Sequence, residues 1–86
     1  MRNLVLVALM GVTLAGRVLA ADVTADSVLG TTMQEVQDAL AAMGYEIRKS
    51  EMEDGLIEVY FVRDGQMGEV YVDPATGAVV KLSVKG

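Results

Sequence analysis

The residue types that most often carry catalysis are scarce in this chain. Its 86 residues include no histidine and no cysteine. Nucleophile–histidine pairs and metal sites made of imidazole or thiolate groups therefore cannot be built from it. Pairs of carboxylates are the remaining option for acid–base chemistry, but they fall in the expected turns and strands of a domain too small to enclose a substrate. We expect a protein that is not an enzyme and that has no catalytic residues and no cofactor.

An acidic segment, residues 51–55 (EMEDG), is the clearest candidate for binding a cation. Carboxylate oxygens are ligands that suit calcium. An EF-hand loop, however, needs acidic or amide residues at alternate positions, followed by a glycine and a distant glutamate. The segment lacks that spacing, and a solvated hairpin turn is the simpler interpretation. No metal-binding residue is assigned from the sequence.

The first 20 residues have the features of a secretory signal peptide. Arg2 supplies a positive start, residues 4–15 are almost entirely apolar, and residues 18–20 (VLA) match the pattern that signal peptidase reads. The apolar run is too short for a membrane-spanning helix, which needs about 20 such residues. We expect cleavage after Ala20 or Ala21 and a soluble product that is periplasmic or secreted.

Removing this leader makes the chain strongly acidic. Arg2 and Arg17 would leave with it, so the seven basic residues fall to five against 12 acidic ones, a net charge of −7. Nucleic-acid binding requires a basic surface that displaces counterions, and anionic membranes also attract basic surfaces. We therefore expect no nucleic-acid partner and no stable membrane insertion of the cleaved product.

Residues 21–30 show no sustained periodicity and are expected to form a flexible lead-in to a domain spanning residues 31–86. Thr32 and Glu35 have the spacing of a capping box at the start of a helix. Apolar residues then recur at intervals of three and four, and Gly44 can adopt the left-handed conformation that follows a helix. The pattern predicts one amphipathic helix.

Turn residues divide the rest of the domain into strands. Asp54-Gly55 and Asp64-Gly65 are strong hairpin signals, because glycine tolerates the positive φ of two-residue turns. Short loops favour antiparallel neighbours. The sequence predicts an α+β fold in which one amphipathic helix packs on a three- to four-stranded antiparallel β-meander. The predicted core consists of Val36, Ala39, Leu40, Met43, Ile47, Ile57, Val59, Phe61, Val70, Val72, Val80 and Leu82.

The face of the sheet turned away from the helix is the candidate contact surface. We expect it to carry Tyr60 and Tyr71, with Glu58 and Lys49 nearby, and tyrosines among charges are common at recognition surfaces. Two other interpretations stay open. An antiparallel sheet with one solvated face tolerates such tyrosines, and an exposed sheet edge can pair with an extended peptide or with a second copy of the chain.

Several spaced motifs together resemble the PepSY domain family, in particular its small exported single-domain members of proteobacterial type. The motifs are residues 33–40 (MQEVQDAL), 44–47 (GYEI), 51–55 (EMEDG), 58–60 (EVY) and 72–77 (VDPATG). The resemblance implies a helix on an antiparallel sheet, without catalytic residues. It also implies a link to peptidases, because PepSY domains occur in propeptides of secreted metallopeptidases and in envelope proteins that are thought to inhibit or regulate peptidases.

Two functions are therefore expected. The first is a non-catalytic, periplasmic or secreted PepSY-like binding module that regulates or inhibits a peptidase or another envelope protein. The alternative is an envelope protein that binds a cation or a small ligand with its acidic surface.

Overall fold

The computed structural model describes residues 21–86, which form one helix and one four-stranded sheet. In chain order the elements are α1 (Met33–Ala42), β1 (Glu46–Glu53), β2 (Leu56–Arg63), β3 (Gln66–Val72) and β4 (Val79–Lys85). The predicted α+β class and the antiparallel meander under one helix are confirmed. The predicted signal peptide, residues 1–20, lies outside the described residues. Within residues 21–86, no helix has the length and apolar character needed to cross a membrane.

Helix α1 begins and ends where the sequence predicts. Thr32 is the N-cap, and its hydroxyl oxygen accepts a hydrogen bond from the Glu35 backbone N–H at 3.1 Å. The Glu35 carboxylate accepts from the Thr31 backbone N–H at 2.8 Å, one residue before the position that a capping box uses. After the helix, Gly44 has a φ of +95°, which glycine adopts without steric cost.

The sheet has the strand order β1-β2-β3-β4, and each strand pairs antiparallel with the next one along the chain. Its first two connections are the predicted two-residue turns. Asp54, Gly55, Asp64 and Gly65 all have φ between +52° and +81°. Two consecutive positive φ values define the type I′ turn, whose twist matches that of the flanking strands. These tight turns fix the register of β1 on β2 and of β2 on β3.

The N-terminal segment, residues 21–30, packs against the same side of the sheet as α1. Val23 and Leu29 are buried in the core, and the Leu29 backbone N–H donates to the Gly77 carbonyl oxygen at 2.8 Å. The expectation of a flexible lead-in is thus corrected. Two isolated apolar residues have no periodicity, so the sequence pattern did not reveal their burial.

The buried core otherwise follows the predicted alternation, with one correction. Val80 was predicted to be buried but is 53% exposed. A β-bulge is the reason: Tyr71 pairs with Lys81 and Val72 pairs with Val79, so Val80 is the extra residue of β4. Val79 occupies the buried place instead. The core comprises Val23, Leu29, Val36, Leu40, Ile57, Val59, Phe61, Val70, Val72 and Val79, with Met33, Ala39, Met43, Tyr45, Ile47 and Leu82 partly buried against it.

Arg63, the last residue of β2, connects the N-terminal segment to the end of α1. Its guanidinium group donates to the carbonyl oxygens of Met43 at 2.8 Å and Ala21 at 2.9 Å, and it forms an ion pair with Asp22. It also lies over the Tyr45 ring, 4.2 Å from the centroid, a favourable cation–π distance. One side chain therefore caps a helix end and holds the first described residues on the domain.

The bulge in β4 can be tested with a pair of adjacent substitutions. Val79→Ala should lower the free energy of unfolding by about 2 kcal/mol, because it removes two buried methyl groups and leaves a cavity. Val80→Ala should change it by less than about 0.5 kcal/mol, because that side chain is mostly exposed. Urea denaturation followed by circular dichroism measures both. A larger loss for Val80→Ala than for Val79→Ala would show that the bulge is misplaced.

Gly68 allows the Phe61 ring to lie directly against β3. A β-carbon added at Gly68 would lie 2.8 Å from two ring carbons of Phe61 and 2.8 Å from the Ser83 carbonyl oxygen. Gly68→Ala should therefore destabilise the fold by about 1–3 kcal/mol, the usual cost of overpacking. Gly86→Ala is the control, because its β-carbon would meet only the flexible Gln66 side chain. Equal unfolding midpoints for the two variants would contradict this packing.

Candidate functional site

The face of the sheet opposite α1, here called the open face, contains the candidate residues. The strand register assigns to it Lys49, Glu51, Glu53, Leu56, Glu58, Tyr60, Val62, Met67, Glu69, Tyr71, Lys81, Ser83 and Lys85. Carboxylates and tyrosines occupy its centre, and lysines lie toward its margins. The face therefore combines aromatic surface with a concentration of negative charge.

A β-bulge in β1 determines which residues of that strand reach the open face. Ile47 pairs with Phe61, whereas Lys49 pairs with Tyr60, so Arg48 is the extra residue. A bulge of one residue exchanges the faces that odd- and even-numbered residues occupy. Before the bulge, Ile47 faces the core; after it, odd-numbered residues face away from the core.

The bulge brings Glu51 and Glu53 to the open face. Ser50 consequently points to the helix side, where its hydroxyl accepts a hydrogen bond from the Gln37 side-chain amide at 2.7 Å. Without the bulge, the two glutamates would point toward α1 and the serine would face away from it. The bulge thus separates the acidic residues of β1 from the core.

The four residues predicted as a contact surface lie together on the open face. Tyr60 and Tyr71 are half-buried and Lys49 is exposed. The Lys49 ammonium lies 5.8 Å from the centroid of the Tyr60 ring, and that of Lys81 lies 5.4 Å from the centroid of the Tyr71 ring. Both are within cation–π range. That these residues bind a partner stays a prediction.

Glu58 differs from the other three, because it is fully buried although it lies on the open face. It pairs with Glu51 of β1 on one side and with Tyr71 of β3 on the other. Within residues 21–86, neither carboxylate oxygen of Glu58 has a hydrogen-bond partner. A buried polar group without a partner is costly. Glu58 is therefore not a surface contact in the isolated chain but a buried acid beneath the face.

The neighbours of Glu58 control the ionisation of the two central glutamates. Burial by itself raises the pKa of Glu58, but interactions with Glu53 and with the hydroxyls of Tyr60 and Tyr71 outweigh burial and lower that pKa to about 2. The interaction with Glu58 raises the pKa of Glu53. The two carboxylates therefore titrate as a coupled pair.

The same carboxylate also affects the ionisation of the two tyrosines. Interaction with Glu58, followed by burial, raises the pKa of Tyr60 to about 12 from an ordinary value of 10.0. The pKa of Tyr71 is raised as well, again chiefly by Glu58. The Tyr71 hydroxyl also donates to the Glu53 carboxylate at 3.5 Å. Both tyrosines are therefore neutral hydrogen-bond donors at physiological pH.

A small pocket of about 140 Å³ adjoins this group on the side of β3 and β4. It is lined by Tyr60, Met67, Gly68, Glu69, Ser83 and Lys85. Met67 is 60% exposed at its edge. The pocket joins an apolar floor to one acidic and one basic side chain, which suits a protein side chain better than a whole small molecule.

Sequence reasoning recognised the carboxylates of residues 51–55 but missed their place in a group that spans two strands. Glu51, Glu53 and Glu58 each have a carboxylate oxygen within 4.8 Å of the others. A signal for this was present, because a two-residue turn at residues 54–55 aligns Glu53 with Leu56 and hence Glu51 with Glu58. The pocket had no such signal, because it depends on β4.

Comparison with known families decides the family of the chain. The family model described as peptidase propeptide and YPEB domain matches residues 4–83, nearly the whole chain. The chain belongs to the PepSY family. This confirms the resemblance that the sequence motifs indicated. Searches of the curated proteins and of the solved structures found no significant match.

Membership of the PepSY family bears on function in general terms. PepSY domains are generally non-catalytic modules of the propeptide or inhibitor type, and peptidases are the kind of partner that the family suggests. They are typically found in exported proteins. In this PepSY chain, the open face is the surface on which aromatic, apolar and charged side chains converge.

The effect of Glu58 on the tyrosines can be measured by alkaline titration of phenolate absorption in metal-free buffer. Glu58→Gln should lower the pKa of Tyr60 from about 12 toward 10.0 and should also lower that of Tyr71. Because folded pKa values above 10 mean tighter proton binding in the folded state, the associated stability is complete below pH 10 and is lost as the pH rises through about 12.

Asp38→Asn is the control for this titration, because it removes one negative charge from α1, on the other side of the sheet. It should leave both tyrosine pKa values unchanged. Circular dichroism at each pH confirms that the signal comes from folded protein. Identical tyrosine titrations in the wild-type and Glu58→Gln proteins would show that the Glu58 carboxylate does not lie beside the phenols.

Proposed function

We propose that the chain is a non-catalytic, exported binding module that inhibits or regulates a peptidase through the open face of its sheet. The single observation that carries this proposal is the open face itself: a sheet surface that no other element of residues 21–86 covers, on which two half-buried tyrosines flank a buried carboxylate. Membership of the PepSY family supports a peptidase as the class of partner.

The side chains of the open face suit protein recognition. Tyr60 and Tyr71 offer large, rigid surfaces with a hydroxyl donor, a combination enriched among residues that dominate binding energy. Beside them, Met67 is 60% exposed and the adjoining pocket can receive one side chain of a partner. The central carboxylates favour a partner surface that carries arginine or lysine.

The sheet edges are less suitable contact surfaces. Each edge strand contains a bulge, at Arg48 in β1 and at Val80 in β4, and β4 carries Lys81 and Lys85. Bulges and edge lysines are features that oppose pairing with a further strand. The two edges are therefore poor sites for adding a strand, either from a peptide or from a second copy of the chain. The open face is favoured as the contact surface.

The test is inhibition of a panel of periplasmic and secreted peptidases by the purified protein. We expect saturable inhibition of at least one peptidase. Tyr71→Ala should raise its inhibition constant by about 10-fold or more, because truncating a central aromatic contact costs about 1.4 kcal/mol or more. Steady-state kinetics with a peptide substrate give the constants.

Two methionines provide a matched control. Met67 lies on the open face and is 60% exposed, whereas Met52 is 54% exposed and points to the opposite side of the sheet, like its partner Ile57. Met67→Ala should weaken inhibition and Met52→Ala should not. Equal effects of the two substitutions would contradict the open face as the contact surface. Absence of inhibition across the whole panel would count against a peptidase as the partner.

A further inference from the structure

Within residues 21–86, no hydrogen bond compensates for the burial of the Glu58 carboxylate. Glu58 is 0% exposed, it lies on the open face at the centre of the sheet, and neither of its carboxylate oxygens accepts a hydrogen bond from residues 21–86. Leaving a buried charged group without a partner is unfavourable. Such a group is a candidate ligand for something that the domain acquires from solution.

Two further carboxylates are directed at the same point. Glu51 of β1 pairs directly with Glu58 of β2, and Glu53 lies two residues further along β1 on the same face. One oxygen from each of the three residues lies within 4.8 Å of the others. Three negative charges at this separation repel one another unless a cation or protons lie between them.

The basic side chains near this group do not neutralise it. The Lys49 ammonium lies 3.9 Å from the Glu51 carboxylate, in an exposed ion pair, and also over the Tyr60 ring. Exposed ion pairs of this kind are weak. Among the salt bridges formed by residues 21–86, none involves Glu58 or Glu53. The carboxylates therefore keep a net negative charge that can attract a cation.

The chemistry of these ligands selects a hard divalent cation. All three donors are carboxylates, and the chain has no histidine or cysteine to favour zinc or copper. Two oxygens on opposite sides of one ion are separated by twice the metal–oxygen distance, which is about 4.6–5.2 Å for Ca²⁺ and about 4.0–4.2 Å for Mg²⁺. The three carboxylate oxygens lie within 4.8 Å of one another, a separation that one Ca²⁺ ion can bridge.

We propose that Glu51, Glu53 and Glu58 form a calcium-binding site on the open face. Glu58 is the fixed ligand, because it is buried in a central strand, and Glu51 and Glu53 close over the ion from β1. Three carboxylates supply between three and six oxygens, and water completes the six to eight that Ca²⁺ takes. This site differs from the turn of residues 51–55 considered alone, because its buried ligand comes from the next strand and Asp54 takes no part.

The calcium proposal does not require the peptidase function, although the two sites share the open face and its central carboxylates. Tyr71 interacts with Glu58 and donates to Glu53, so calcium at the carboxylates would alter the surroundings of a residue on the contact surface. A partner in turn would meet a face whose negative charge depends on the ion. Either site can be lost by substitution without the other.

The test is calorimetric titration of CaCl₂ into the full chain after treatment with a chelator. We expect one saturable site with a dissociation constant of about 0.1–1 mM, the range of calcium modules that work outside the cytosol. Mg²⁺ should bind at least about 10-fold more weakly, because it demands shorter and more regular coordination. In a parallel NMR titration, the amide signals of Glu51, Glu58 and Tyr71 should shift together with the same midpoint.

Matched variants distinguish a specific calcium site from nonspecific electrostatic attraction of calcium to an acidic surface. Glu58→Gln should weaken binding by at least about 10-fold, because one charged ligand is lost, whereas Asp38→Asn removes one charge elsewhere and should change it less than about twofold. The double variant Glu51→Gln, Glu53→Gln should also lose binding; it alters only β1 and keeps the test valid if Glu58→Gln fails to fold. Circular dichroism checks the fold of each variant.

Three outcomes would overturn the proposal. The first is no saturable heat and no coincident NMR shift with calcium up to about 10 mM, well above the expected dissociation constant. The second is undiminished binding by a folded Glu58→Gln protein. The third is equal binding of Mg²⁺ and Ca²⁺ with equal losses in all the charge variants, which would indicate diffuse attraction to the acidic surface.

Discussion

The alternation of side chains along β2 is the constraint on which the rest of the structure depends. This strand lies between two others, and α1 and the N-terminal segment cover one of its faces, whereas no element of residues 21–86 covers the other. Ile57, Val59 and Phe61 supply the covered face. The residues between them must then lie on the open face, which commits Glu58 and Tyr60 to the centre of the sheet rather than to its margin.

Two bulges adapt the neighbouring edge strands to this arrangement. The bulge at Arg48 directs Ile47 into the core and the glutamates that follow to the open face. The bulge at Val80 lets Val79 reach the core next to the N-terminal segment. Both bulges also make the edges of the sheet poor templates for strand addition. The same local irregularities thus assemble the acidic group and disfavour strand addition at the edges.

Glu58 is the charge that most affects the ionisation of the other groups on the open face. Glu58 is buried and ionised, and its neighbours respond to it: the pKa of Glu53 and those of both tyrosines are raised. Burial opposes the ionisation of this carboxylate, and its neighbours offset that effect. A binding function for that carboxylate, whether for a calcium ion or beside a partner, gives a physical reason for its presence on the surface of a PepSY domain.

The sequence by itself determined the helix, an antiparallel meander of three to four strands, their order and the apolar side of β2, because capping residues, Asp-Gly turns and alternation are local and need no tertiary information. The motifs also indicated the PepSY family. Only the tertiary structure decided the burial of Val23 and Leu29, the bulges and the meeting of three glutamates. These depend on which strands and segments come together in space, and a bulge reverses the alternation on which any reading of a strand from sequence relies.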